Sequence, residues 1–106
     1  MKTLLIQVQP QRVSALPVER VTAAFTAISS MPEVVEHGFE RGDDYLNFSF
    51  GASDVADLWR HIRSRVFAEF GQCLEASSIV ICEGESGWDD YHLLHHFDDA
   101  IPRDTL

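Results

Sequence analysis

The sequence predicts an α+β fold with two helices on one face of a β-sheet, and three observations carry that expectation. Apolar and polar residues alternate over short runs, the pattern of strands with one buried face. Between the runs lie two stretches whose apolar residues recur every three or four positions, the pattern of amphipathic helices. The order is strand, helix, strand, strand, helix, strand. That is the split β-α-β arrangement called ferredoxin-like, in which each helix crosses between parallel strands and both pack on the same sheet face. At 106 residues the chain makes one domain, 1–106, with no room for a second core.

Leu4, Ile6 and Val8 alternate with Leu5, Gln7 and Gln9, and Pro10 ends this first strand. Ser14 to Pro17 starts a helix, since proline suits a first helical turn. Val18, Val21, Phe25 and Ile28 then form one stripe on a helix ending near Ser30. In the second strand Val35, His37 and Phe39 alternate with Val34, Glu36 and Glu40. Arg41-Gly42-Asp43-Asp44 has turn chemistry. Leu46, Phe48 and Phe50 follow in alternation with Tyr45, Asn47 and Ser49, so a hairpin joins the second and third strands. Ser53 or Asp54 caps the second helix by accepting from its unpaired amides. Val55, Leu58, Trp59, Ile62, Val66 and Phe70 make its buried stripe, and Gly71 ends it. Ser78-Ile79-Val80-Ile81-Cys82 is a compact β-branched fourth strand.

The C-terminal segment, residues 83–106, is an acidic extension of this sheet. It holds seven acids (Glu83, Glu85, Asp89, Asp90, Asp98, Asp99 and Asp104) and one base, Arg103, so it carries −6 of the chain's net −9. Trp88, Tyr91, Phe97 and three of the five histidines lie in the same stretch. Its structure is either an extra strand or a short helix. The Glu83-Gly84-Glu85-Ser86-Gly87 turn favours a hairpin along the fourth strand. Tyr91, Leu93, His95 and Phe97 would then face one way, and Asp90, His92, Leu94 and His96 the other. A helix capped by Ser86 would instead gather Trp88, Tyr91 and His95.

Charge and motifs narrow the chemistry. An acidic chain, of pI near 4.7, repels phosphate backbones, so no direct nucleic-acid binding is expected. Met1-Lys2-Thr3-Leu4-Leu5-Ile6-Gln7 has too short an apolar run for an export signal, and nothing approaches a membrane span. Cys73 and Cys82 form no CxxC pair and suit reduced thiols, which points to the cytoplasm. The isolated glycines make no GxGxxG, and Lys2 is the only lysine, so no nucleotide cofactor is expected. Gly84-Glu85-Ser86-Gly87 lacks the GxSxG order of a nucleophile elbow. His92 and His96 share a metal only if they stand four apart on a helix; on a strand they lie roughly 13 Å apart, so no metal is expected. Arg60, Arg63 and Arg65 suit a solvated helix face better than an anion site. The chain is thus expected not to be an enzyme.

What remains is a protein-binding surface. Trp88 and Tyr91 supply aromatic anchors, and Asp89, Asp90, Asp98 and Asp99 steer a basic partner. In size, charge and expected architecture the whole chain resembles the immunity proteins that bacteria make against secreted or contact-delivered toxins; the resemblance includes no diagnostic motif. It implies neutralisation of a basic toxin, such as a nuclease, by occlusion of its active site. The alternative is a ferredoxin-like domain that binds or transforms a small molecule and forms a homodimer through its open sheet face. Tyr45, Asn47, Ser49 and His37 would line that pocket.

Overall fold

In β1 (Lys2–Val8) the side chains of Leu4, Ile6 and Val8 are fully buried while those between them are not, as strand geometry requires when one face meets a core. The same period builds β3 (Leu46–Ala52) and β4 (Ser78–Gly84) on either side of it. The computed structural model describes residues 1–106 and is a mixed α+β fold with one five-stranded antiparallel sheet. The strand order is β2 (Val34–Arg41), β3, β1, β4, β5 (Gly87–His95).

Three helices accompany the sheet. The first, α1 (Val18–Ile28), buries Val21, Phe25 and Ile28. The second, α2, begins at Val55–Ile62, passes through a π turn at Arg63–Phe67 and finishes at Ala68–Phe70. The third, α3 (Gln72–Glu75), is a single turn before β4. Asp54 caps α2 through its side chain, which accepts from the Asp57 amide at 3.0 Å. Gly71 breaks the helix with φ +60°, a backbone region that L side chains rarely adopt. The core closes around Phe25, whose ring stacks on Phe48 at 4.5 Å and meets Phe67 edge-on at 6.5 Å. One face of the sheet therefore carries α1 and α2, and the other carries no helix.

Three departures from the expected pattern have physical causes. The regular helical period puts Phe70 in the buried stripe, but the π turn inserts a residue, so Phe67 is buried instead and Phe70 only half-buried. In β2 a bulge between Val34 and Glu36 leaves Val35 63% exposed, and Phe39 covers only part of its ring by stacking on Phe48 at 5.1 Å. The expected alternation of Val35, His37 and Phe39 is lost because β2 is an edge strand, paired on one side only, and the bulge turns Val35 outward. In β5 the hairpin forms, but its alternation breaks. His95 pairs with Val80 on the helix side and Leu93 with Ile81 on the open side, with Leu94 buried between them.

Candidate functional site

The turn into β5 decides how the acidic segment is presented. Gly84 pairs with Gly87, but the next pair toward the strand end is Cys82 with His92. Two steps on β4 thus face five on β5, and the surplus chain is pushed out as a wide bulge. Gly84 permits this, because a Cβ there would collide with the Asp90 carbonyl. Asp90 in turn fixes the loop by accepting from the Ser86 amide at 2.9 Å. Gly87 closes the turn with φ +86°.

The bulge leaves four consecutive residues, Trp88, Asp89, Asp90 and Tyr91, on the surface. Trp88 is 43% and Tyr91 52% exposed, although both rings are large enough to be core residues. None of the ion pairs of the molecule involves Asp89 or Asp90, and the Asp89 carboxylate accepts no hydrogen bond. The result is one exposed stretch that carries two aromatic rings and two carboxylates outside any ion pair.

Asp98 and Asp99 do not join this group. They follow the far end of β5, whose last four residues, roughly 13 Å of strand at 3.3 Å per residue, lie between them and Tyr91. Asp98 accepts from the Ala100 amide at 2.9 Å, and Asp99 lies 3.6 Å from the Arg103 guanidinium, so both are held in a local turn. From there the tail returns along β5. The Asp104 amide donates to the Leu93 carbonyl at 2.7 Å and the Asp104 carboxylate accepts from the Leu93 amide at 2.8 Å. The outer edge of β5 is thus covered at Leu93 and bulged at Trp88–Tyr91, which leaves side chains rather than an open strand edge for contact.

The other groups singled out in the sequence are dispersed. Arg60 pairs with Asp57 at 2.7 Å, Arg63 stands 5.5 Å over the Trp59 ring, and Arg65 points toward the Met31 sulfur at 3.8 Å. His92 lies on β5 and His96 just beyond it, so the helical spacing that a shared metal needs is absent. No group of three or more His, Cys, Asp or Glu side chains is placed to hold a metal ion. Both cysteines are free thiols; Cys82 is buried, and that burial pushes its pKa up.

The open sheet face is polar at one end and apolar at the other. Leu5, Ile81 and Leu93 lie in one cross-strand row. Asn47 and Ser49 share this face with Glu40 and Gly38 around a shallow cavity of about 310 Å³, and the Asn47 Oδ1 is buried without a hydrogen-bond partner. His37 does not join them, because it pairs with Phe50 on the helix side. Tyr45 sits in the β2–β3 turn with its hydroxyl donating to Glu40 at 2.6 Å, and it lines a separate polar cavity. The four residues expected to share one pocket therefore do not.

Comparison with protein-family models, with curated proteins and with solved structures finds no match for this chain. Its own geometry carries the functional reading. No helix is long and apolar enough to cross a membrane. Sequence reasoning found the aromatic and acidic residues and the Glu83–Gly87 turn, but missed the change of register that presents them. The glycine pair was the available signal, since two glycines three apart at a hairpin leave room for an irregular register.

Proposed function

We propose that this chain is a non-enzymatic protein-binding module of the toxin-immunity type, acting in the cytoplasm. It binds a basic toxin, such as a nuclease, and lids its active site with the β5 bulge. One observation carries the reading: Trp88, Asp89, Asp90 and Tyr91 are all exposed on a bulge anchored by Gly84 and Asp90. Two exposed rings supply buried area on binding, and carboxylates outside any ion pair offer charge to a cationic surface without breaking an internal one. Asp98 and Asp99, at the other end of the strand, contribute to the long-range field and not to the contact.

The scaffold fits a ferredoxin-like plan extended by one strand. β3 lies between β1 and β2, β1 lies between β3 and β4, and each long helix joins two strands that flank an antiparallel one. That plan leaves one sheet face and the side chains of the β5 bulge for recognition.

Paired substitutions test the contact. Trp88→Ala with Tyr91→Ala is expected to weaken the complex by about thirtyfold or more, the loss of hot-spot side chains, while the melting temperature stays nearly constant. Asp98→Asn with Asp99→Asn should slow association and leave dissociation unchanged. A melting temperature that collapses in the aromatic variant would make the rings structural and sink the proposal.

The second reading, a homodimer through the open face that binds or transforms a small molecule, is favoured by the Leu5–Ile81–Leu93 row and by the unpartnered Asn47 oxygen. The net charge of −9 weighs against it, because two copies repel one another. A concentration-dependent dimer that Ile81→Glu dissociates would shift the assignment to this reading.

A further inference from the structure

A second feature, independent of the β5 bulge, lies on the helix side of the sheet. The rings of Trp59, Phe67 and His95 stand in a row, with Trp59 to Phe67 at 5.5 Å and Phe67 to His95 at 5.5 Å. Together with Arg63, Gly71 and Glu75 they wall a cleft of about 320 Å³. Ligand cavities run from roughly 300 to 1,000 Å³, so this one suits a small molecule.

The cleft runs alongside the π turn. There the Ala68 amide donates to the Arg63 carbonyl five residues back, in place of the usual four, and such turns occur disproportionately at functional sites. Gly71 lines the cleft without a side chain.

Its polar groups differ from end to end. At the Trp59 end the Arg63 guanidinium stands 5.5 Å from the ring centre. At the other end His95 Nε2 lies 2.9 Å from the Glu75 carbonyl oxygen. A carbonyl only accepts, so Nε2 carries the proton, and Nδ1 of the neutral ring keeps its lone pair. Burial holds the His95 pKa below its ordinary value, which keeps the ring neutral near pH 7. One end therefore offers a cation. The other, with His95 Nδ1 and the Glu75 carboxylate, offers acceptors that need a donor. A phosphate would meet only one guanidinium and would face Glu75, and a simple cation would meet Arg63.

We propose that this cleft binds a small aromatic carboxylic acid bearing a hydrogen-bond donor, such as a hydroxyl, at the end remote from its carboxylate. The ring lies against Trp59 and Phe67, the carboxylate on Arg63, and the donor on His95 or Glu75. The full-length protein titrated with 4-hydroxyphenylacetate, followed by amide and indole NMR shifts, tests this directly. Saturable shifts at Trp59, Arg63 and His95 are expected, with millimolar or tighter affinity for so small a ligand. Arg63→Gln, at an exposed position that leaves the fold intact, should weaken binding about tenfold or more, as loss of a charged hydrogen bond does. Phenylacetate, lacking the donor, should bind several-fold more weakly, and tyramine, lacking the carboxylate, not measurably. The proposal is overturned by an absence of saturable shifts to about 10 mM. Equal affinity in Arg63→Gln, or equal binding of phenylacetate or tyramine, overturns it as well.

Discussion

Trp88 and Phe25 show how one type of side chain takes two roles. Phe25 is fully buried against Phe48, Phe50 and Phe67, and its truncation removes contacts from two helices and the sheet at once. Trp88 keeps nearly half its surface in water at the bulge, so truncating it alone should change stability by about 0.5 kcal/mol or less. His95 sets a pH dependence of known sign. Its pKa is lowered in the fold by burial, against an ordinary value of 6.5, so the unfolded chain takes up its proton first. Stability is therefore full above about pH 6.5, falls as the pH drops below it, and stops falling below the folded-state pKa. His95→Gln retains a donor for the Glu75 carbonyl and removes the titration. Melting curves from pH 7 to pH 5 should show the wild type losing more than this variant; parallel losses would contradict the assignment.

At the scale of elements, local chemistry was the legible part. The turn at Gly42, the Asp54 cap and the Gly71 stop are each where their residue types require them. Asp54→Ala should cost about 1 kcal/mol in chemical denaturation, because it frees an amide that no other side chain reaches. What the sequence did not disclose are three changes of register. The π turn, the bulge at Val35 and the wide bulge at Trp88–Tyr91 all depend on what a neighbouring element contacts, and periodicity along one segment carries no record of that. For the same reason Trp88, Asp89, Asp90 and Tyr91 were recognisable as a candidate surface, whereas their separation from Asp98 and Asp99 was not. The cleft at Trp59, Phe67 and His95 was hidden too, since it forms only when the π turn carries Phe67 to the β5 end.

At the scale of the molecule, the aliphatic row and the acidic bulge occupy different parts of the surface. The sheet's open face holds the Leu5–Ile81–Leu93 row, while the β5 bulge carries Trp88 and Tyr91 with acids outside any ion pair. With a net charge of −9 the whole chain attracts a cationic protein and repels a copy of itself, and both effects weaken as salt shortens the Debye length from about 10 Å at 0.1 M to about 3 Å at 1 M. The most direct test of the neutraliser assignment is native mass spectrometry of the tagged protein recovered from the cells that make it. Wild type and the Trp88→Ala, Tyr91→Ala variant would be compared at low and at high salt. The account predicts a stoichiometric basic protein on the wild type at low salt, lost at high salt and absent from the variant at either. The same companions on both forms, or a homodimer with nothing basic attached, would contradict it.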